Sequence, residues 1–255
     1  MQYKSLLDDI PGFLDKFDSV QGMMSRLSGA SFISILKHQE AENNIGDIVE
    51  FGVYKGKSAF LLAHFINPPE NLVLVDTRIL SEVSEIKKIA PGVRIFETSS
   101  KKFSESRKMS GDLHKKVRFL HIDGNHTFDN VAEDMEIAEK LVTDDGLVVL
   151  DDFLNPNYPQ VQAATYRHLY TKNSRFAVFL IGGNKAFLCN KKNHNRWLNY
   201  AVSGFADDME HTGHRVVLAR TDSNPLFDAV YFRGRKPDEE VIYGAQLYSR
   251  FFPKR

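Results

Sequence analysis

Short apolar segments alternate with amphipathic segments along the middle of the chain. Five runs are apolar at nearly every position, which is typical of parallel strands buried on both faces. They are 47–52, 71–76, 93–98, 117–123 and 146–152. Segments with helical periodicity lie between them, at 57–66, 80–90, 100–110 and 127–142. The alternation predicts a doubly wound α/β sheet with right-handed crossovers.

The segment 127–142 has the clearest helical pattern. Val131, Met135, Ala138 and Val142 form one apolar stripe. The charged side chains are predicted to face water, and these are Asp129, Glu133, Asp134, Glu136, Glu139 and Lys140. The segment therefore predicts an amphipathic helix packed on the sheet.

The two ends of the chain follow other patterns. Residues 1–45 are predicted to be helical, and the pair Pro11-Gly12 is predicted to break the first helix. After a predicted helix at 159–171, residues 175–190 form two apolar runs around "GGN", which is a hairpin signal. Residues 191–255 predict one helix near 194–210, two short strands ("HRVVLAR" and "DAVYFRG") and a terminal helix.

These elements predict three segments. A helical segment, 1–45, precedes a central domain at 46–190, and a small α+β extension follows at 191–255. We expect a mostly parallel, seven-stranded sheet whose last strand is antiparallel. The extension is expected to pack on the core or on a second subunit, so a homo-oligomer is left open.

Composition narrows the class of protein. The chain has 255 residues, 42% of them hydrophobic, which is enough for a full core. Lysine and arginine total 33 and aspartate and glutamate total 33, so no net charge attracts nucleic acid or an anionic membrane. One cysteine, Cys189, cannot form an internal disulfide. Acids interrupt the N-terminal segment, and no run approaches the roughly 18 apolar residues of a membrane span. A soluble, cytoplasmic protein is the expectation.

The first strand ends in "EFGVYKGKS", residues 50–58. In open parallel sheets, ligands bind beyond the carboxyl ends of the strands, where strand order reverses. A dinucleotide site would show GxGxxG, but here Gly52 and Gly56 lack the middle glycine. Glu50, two residues ahead, favours a cationic ligand over a pyrophosphate.

With "VLVD" (73–76) and "FLHIDGNHTFDNVAEDMEIAEKLVTDDGLVVLDDF" (119–153), this turn resembles the class I S-adenosylmethionine-dependent methyltransferases. The resemblance covers about residues 45–190 and is specific to the branch of macrocin-type sugar O-methyltransferases and cephalosporin hydroxylases. It implies a Rossmann-like methyltransferase fold, S-adenosylmethionine as cofactor and a small hydroxylated acceptor, such as a sugar or a natural-product intermediate.

By position, the resemblance implies the residues that hold the cofactor. They are Glu50, Gly52, Tyr54, Gly56, Ser58, Asp76, Thr98, Ser99 and Asp123. Glu50 would face the cationic methionine half, and Asp76 would accept hydrogen bonds from both ribose hydroxyls. Thr98 and Ser99 would contact the adenine. As alternatives, Asp76 serves the turn, and Ser100 is the N-cap of the next helix.

Three acids close two strands that the fold makes neighbours. Asp123 ends one strand, and Asp151 and Asp152 end the next, about 4.8 Å away. Like charges that close raise one another's pKa unless a cation neutralises them. The resemblance implies Mg²⁺ here, with another divalent cation as the substitute. A plain loop or helix cap is the alternative, and both adjacent acids reach one ion only if the chain bends.

His126 lies three residues beyond Asp123. A neutral imidazole can take a hydroxyl proton, so His126 and Asp123 are the predicted catalytic pair. A histidine that merely caps the next helix is the alternative. Asn125 stands where many relatives have an acid, so either His126 replaces that acid or activity is impaired.

Three functions fit these residues. The first is a Mg²⁺-dependent O-methyltransferase. The second is a metal-dependent hydroxylase of the cephalosporin hydroxylase type. The third, favoured by Asn125, is a non-catalytic binding protein on the same fold.

Overall fold

The computed structural model describes residues 7–224 and 227–239, and nine of its strands form a single sheet. The strands are β1 (Asp47–Phe51), β2 (Leu72–Asp76), β3 (Val93–Glu97), β4 (Val117–Ile122), β5 (Val142–Leu150), β6 (Phe176–Gly182), β7 (Lys185–Asn190), β8 (Val216–Asn224) and β9 (Phe227–Gly234). Their order is β3-β2-β1-β4-β5-β7-β6-β9-β8. All five strands predicted from apolar runs are confirmed, as is the α/β fold class.

The order of the parallel strands reverses once, between β1 and β4. Strands β1 to β5 are parallel, with β2 and β4 on either side of β1. Successive strands run outward in one direction from β1 to β3 and in the other from β4 to β5. The carboxyl ends of β1 and β4 therefore flank the crevice where ligands bind in such sheets.

The antiparallel end of the sheet is confirmed. β7 pairs with β5 and with β6 in antiparallel registers. Gly183 and Asn184 have φ angles of 57° and 66°, the left-handed conformation that a tight hairpin turn requires. The two C-terminal strands continue the sheet, because β9 pairs in parallel with β6. This extends the seven predicted strands to nine. The predicted terminal helix falls outside the described residues.

Helices cover both faces of the sheet. They are α1 (Ile10–Ser19), α2 (Arg26–Ala41), α3 (Lys57–Ala63), α4 (Ser100–Glu105), α5 (Arg107–Ser110), α6 (Phe128–Leu141), α7 (Pro159–Leu169), α8 (His194–Ser203) and α9 (Phe205–His211). One apolar core lies between the sheet and α1, α2, α3, α8 and α9, and a second lies under α4, α6 and α7. Among the described helices, none combines the length and apolar character that a membrane span requires.

Four predicted helices differ in detail. Pro11 does not break a helix; it lies in the first turn of α1, where its missing N–H costs nothing, and the Asp9 side chain caps that turn. Residues 81–88 form a 3₁₀ helix. The predicted helix 100–110 is two helices, separated by the extended backbone of Ser106. The predicted helix 194–210 is likewise divided, at Gly204.

Candidate functional site

The turn after β1 is held by its glycines. Gly52 has φ +85°, and a Cβ there would lie 1.9 Å from the carbonyl oxygen of Asp123. Only glycine therefore lets the ends of β1 and β4 come together. Tyr54 (φ 47°) and Gly56 (φ 82°) continue the left-handed turn, and Gly56 is the N-cap of α3.

Asp76, at the end of β2, fastens this turn. Its Oδ2 accepts hydrogen bonds from the backbone N–H groups of Val53 (2.7 Å) and Tyr54 (3.1 Å). Its Oδ1 accepts from the backbone N–H of Arg78, at 3.0 Å. The turn role is thus confirmed. The Thr77 hydroxyl also donates to Oδ1, at 3.4 Å, so protein donors surround all four acceptor sites of the carboxylate, and the ribose role stays a prediction.

A cavity of about 420 Å³ opens beside this turn, and we call it the glycine-turn cavity. It is lined by Met23, Phe51, Gly52, Val53, Tyr54, Val75, Asp76, Thr77, Thr98, Ser99, Ser100, Asp123, Gly124, Asn125, His126, Asn130 and Asp134. Six of the predicted cofactor residues are among them. Ser99, rather than Ser100, is the N-cap of α4, since its side chain accepts from the N–H of Lys102.

The other three predicted cofactor residues lie elsewhere. Glu50 is fully buried, bonded to His121 and outside both cavities described here, which differs from the prediction that it lines the cofactor site. Gly56 also lines neither cavity, because it turns the chain into α3. Ser58, 7% exposed, lines the second cavity instead.

The second cavity, of about 360 Å³, lies over the acids, and we call it the acidic cavity. It is lined by Gly22, Met23, Met24, Ser25, Ser28, Val53, Tyr54, Lys55, Lys57, Ser58, Asp123, His126, Asp151, Asp152, Asn155, Tyr158, Asn184 and Lys185. Met23, Val53, Tyr54, Asp123 and His126 line both cavities. The two cavities therefore adjoin.

The predicted acids do converge here. Asp152 has φ +53°, so the chain bends after β5, and both Asp151 and Asp152 line the acidic cavity with Asp123. Their ligand atoms fall into two overlapping groups, each within 4.8 Å. Asp123 and Asp151 group with His121, and Asp123 and Asp152 group with His126. Both groups offer carboxylate oxygen and imidazole nitrogen, which suits a divalent ion.

The Lys185 ammonium already neutralises part of this charge. Lys185 Nζ lies 2.5 Å from Asp151 Oδ2, and His126 Nε2 lies 3.0 Å from Asp152 Oδ2. Burial alone would raise the pKa of Asp151, but the Lys185 ammonium and the His121 imidazole hold it down, at about 2. Burial raises the pKa of Asp123 to about 6, and the neighbouring Asp151 adds to this.

A mostly buried polar row, which we call the buried polar row, comprises Glu50, His121, Asp151 and Lys185. Asp151 and Lys185 line the acidic cavity, and Glu50 and His121 lie fully buried behind them. Glu50 Oε1 lies 2.7 Å from His121 Nδ1, and His121 Nε2 lies 3.9 Å from Asp151 Oδ2. The ring of Phe32, from α2, meets His121 edge-on at 5.0 Å and lies 5.5 Å from Lys185 Nζ. The row crosses β1, β4, β5 and β7, so the floor is tied together across four strands.

His126 lies at the junction of the two cavities. It stacks on Tyr158 with ring centroids 4.3 Å apart, and its imidazole is partly exposed. The carboxylate of Asp123, 3.6 Å from Nε2, raises the pKa of His126, against the effect of burial. Of the aromatic residues near the acids, Tyr158 lines the acidic cavity while Phe153 is core. Asn125 Oδ1 accepts from the N–H of Thr127, so this asparagine shapes the loop.

Sequence reasoning missed Lys185 and misplaced Asp134. Lys185 is adjacent to Asp151 because Leu150 pairs with Ala186 across β5 and β7, a register that the sequence does not reveal. Asp134 was predicted to face water, but it is 3% exposed and lines the glycine-turn cavity. The signal was present, since Asp134 lies three residues after Val131 and so within the apolar stripe.

Comparisons with known proteins agree with this geometry. Residues 49–153 match a family profile described as "Methyltransferase domain". No curated protein sequence matches the chain. The match lies inside the predicted domain 46–190 and confirms that the chain carries a methyltransferase domain.

Solved structures share the fold. The O-methyltransferase TomG of Streptomyces achromogenes, in complex with S-adenosylmethionine, aligns with a TM-score of 0.52 at 16% identity, over 72% of this chain and 89% of TomG. An O-methyltransferase of Bacillus cereus, in complex with S-adenosylhomocysteine, gives 0.51 at 13% identity, over 72% and 89%. CalS11, a TDP-rhamnose 3′-O-methyltransferase of calicheamicin biosynthesis, gives 0.52 at 17% identity, over 73% and 85%. With the family match, they confirm the predicted resemblance to class I methyltransferases.

Proposed function

We propose that this chain, whose residues 49–153 carry a methyltransferase domain, transfers the methyl group of S-adenosylmethionine to a hydroxyl of a small acceptor. The observation that carries the proposal is the junction of two cavities at Asp123 and His126. Methyl transfer joins two substrates at one atom, so each needs its own recess with a common wall. The volumes, about 420 and 360 Å³, are within the range of small-molecule sites.

The glycine-turn cavity suits the cofactor. Gly52 leaves backbone exposed at the carboxyl end of β1, and Asp76 at the end of β2 offers carboxylate oxygen for the ribose hydroxyls. Thr98 and Ser99 lie beyond β3, where the adenine would bind. The sulfonium belongs beside Asp123, because that residue also borders the acidic cavity.

The acidic cavity suits a divalent cation, Mg²⁺ in the first place. Asp123, Asp151 and Asp152, which line this cavity, would hold it with oxygen ligands of the kind that Mg²⁺ prefers, and Asp123 belongs to both ligand groups. When bound, S-adenosylmethionine supplies an electrophilic methyl group, and the cation lowers the pKa of an acceptor hydroxyl. The Lys185 ammonium occupies one oxygen of Asp151, so Asp123 and Asp152 are the more open ligands.

His126 would take the proton of the acceptor hydroxyl. It lines both cavities, and carboxylates on either side, Asp123 and Asp152, stabilise the imidazolium that forms. Tyr158 stacks against the imidazole and holds its orientation. In this proposal, His126 takes over the role of the acid that many relatives have at the position of Asn125.

The first experiment is calorimetry of the full chain with S-adenosylhomocysteine. We expect binding, weakened at least about tenfold in Asp76→Ala, since the turn and the ribose site lose their carboxylate. The matched control is Glu85→Gln, because the Glu85 side chain is exposed and lies outside both cavities. This variant should bind S-adenosylhomocysteine as the wild type does. Absence of binding at millimolar concentration would contradict the proposal.

The second experiment tests acceptor and metal. Turnover is measured across a panel of hydroxylated compounds, with Mg²⁺ or with a chelator. Nucleotide sugars come first, since one structurally similar enzyme is a TDP-rhamnose methyltransferase. Methylation of a hydroxyl that stops with the chelator supports a metal-dependent O-methyltransferase.

One observation favours a second candidate. His121 belongs to one of the two groups of possible metal ligands and His126 belongs to the other, each with two aspartates. Mixed histidine and carboxylate ligands also suit iron. A metal-dependent hydroxylase of the cephalosporin hydroxylase type would use such a centre. Stoichiometric iron in the purified protein, with no methyl transfer, would favour this candidate.

A further inference from the structure

Lys55 carries a positive charge that no acid among the described residues pairs with, since no carboxylate oxygen there lies within 4.0 Å of its ammonium. It lies between β1 and α3, is partly exposed, and lines the acidic cavity but not the glycine-turn cavity. Its Nζ donates a hydrogen bond to Gln21 Oε1, at 2.7 Å, and lies 5.8 Å from the centre of the Tyr54 ring. Both of these partners are neutral. The pKa of Glu82 is lowered mainly by a hydrogen bond from its own backbone, and the Lys55 charge makes the smallest contribution.

A second lysine that lines the acidic cavity is only loosely paired. The side chain of Lys57 is 11% exposed, and its Nζ lies 4.0 Å from Asp18 Oδ1 and 4.7 Å from the centre of the Phe17 ring. The other carboxylate oxygen of Asp18 already accepts a hydrogen bond from Arg26, at 2.7 Å. Asp18 therefore offsets the charge of Lys57 only in part.

The net charge of the acidic cavity depends on whether a divalent cation is bound. Three carboxylates and three ammonium groups line it, and they belong to Asp123, Asp151, Asp152, Lys55, Lys57 and Lys185. With His126 neutral, these charges balance. A divalent cation held by the three acids, as proposed above, would leave two positive charges in excess. A phosphate ester, which carries a charge of about −1.5 to −2 at pH 7, would restore the balance.

We propose that Lys55 is a specificity-determining residue that binds a phosphate group of the acceptor. This inference rests on the proposed function and names its class of acceptor, a phosphorylated sugar, either a sugar phosphate or a nucleotide-linked sugar. The reacting hydroxyl lies near Asp123 and His126, and the phosphate lies at the wall formed by the turn after β1. A charge-assisted hydrogen bond to phosphate is stronger than the bond that Lys55 makes to the neutral amide of Gln21.

The test is calorimetry of the full chain, saturated with S-adenosylhomocysteine and Mg²⁺, with three probes that contain the same sugar. The probes are TDP-rhamnose, rhamnose 1-phosphate and methyl rhamnoside. We expect wild type to bind at least one phosphorylated probe at least about tenfold more tightly than methyl rhamnoside. Tight binding of both phosphorylated probes would show that phosphate alone is recognised. Tight binding of TDP-rhamnose alone would identify a nucleotide-linked sugar as the acceptor.

Variants of the lysine locate the phosphate. Lys55→Gln should bind the preferred phosphorylated probe at least about tenfold more weakly, with nearly unchanged binding of methyl rhamnoside and of S-adenosylhomocysteine. Lys55→Arg retains the charge and should retain most of the preference. Gln21→Ala removes the hydrogen-bond partner of Lys55 but not the charge, so it should also retain the preference. Lys87→Gln, at an exposed position outside both cavities, is the matched control and should bind all three probes as the wild type does.

Three results would overturn the inference and leave the proposed function standing, provided that S-adenosylhomocysteine binds. The first is equal binding of the phosphorylated probes and methyl rhamnoside by wild type, and the second is binding of none of the three. The third is a phosphate preference that Lys55→Gln keeps in full, because the phosphate would then contact the metal ion or another group. If wild type does not bind S-adenosylhomocysteine at millimolar concentration, the proposed function fails and this inference fails with it.

Discussion

Removing the charge of Asp134 should change how the stability of the protein depends on pH. Burial raises the pKa of this carboxyl from 3.8 to about 7 in the folded chain. The folded state therefore keeps a proton that the unfolded state has already released. The contribution to stability is fully present below pH 3.8 and is lost as the pH rises to about 7. The free energy of unfolding changes by at most about 4 kcal/mol over the whole titration of Asp134.

Asp134→Asn carries no titrating proton, so this part of the pH dependence disappears. Urea unfolding at pH 5 and pH 8 measures it, since most of the titration lies between those values. We expect wild type to lose about 3 kcal/mol more than the variant over that interval. Glu136→Gln, at an exposed position of the same helix, should follow wild type. If wild type and Asp134→Asn lose the same stability to within about 0.5 kcal/mol, the assignment of a buried, raised pKa to Asp134 is wrong.

Three further predictions concern the cavities. Gly52→Ala should abolish binding of S-adenosylhomocysteine in calorimetry, because its Cβ would lie 1.9 Å from the carbonyl oxygen of Asp123; binding within about threefold of wild type would contradict this. Lys185→Met should bind Mn²⁺ at least about tenfold more tightly in a paramagnetic-resonance titration, since the ammonium that competes for Asp151 is gone, and unchanged affinity would refute the competition. His126→Gln should lower the rate of methyl transfer at least about 100-fold with nearly unchanged binding of S-adenosylhomocysteine, whereas an equal loss in both would indicate a structural role.

Local patterns were sufficient to predict the elements that surround the crevice. The strands ending at Phe51, Asp76 and Ile122 have apolar side chains on both faces. A strand buried on both faces is apolar at nearly every position, so each short segment by itself is sufficient to predict it. The glycine turn was equally local, because left-handed backbone and a close approach at Gly52 exclude other residues. The order of the strands then brought Asp123, Asp151 and Asp152 to one cavity.

Contacts between distant segments could not be predicted in this way. Lys185 reaches Asp151 only through the antiparallel register of β5 and β7, and Glu50 is covered because α2 packs on that face of the sheet. Asp134 is a different case. Its spacing from Val131 places it in the apolar stripe and it is 3% exposed, although a charged side chain on an amphipathic helix is ordinarily expected to face water.

The buried polar row has a consequence for where the functional unit begins. Phe32 of α2 lies against His121 and Lys185, and Ser28 of the same helix donates a hydrogen bond to the Gly183 carbonyl in the hairpin turn, at 2.6 Å. The region recognised by the family profile starts only at residue 49. A fragment restricted to that region would lack α2, and water would reach the buried side chains of His121 and Lys185. We therefore expect that the smallest functional fragment includes α2.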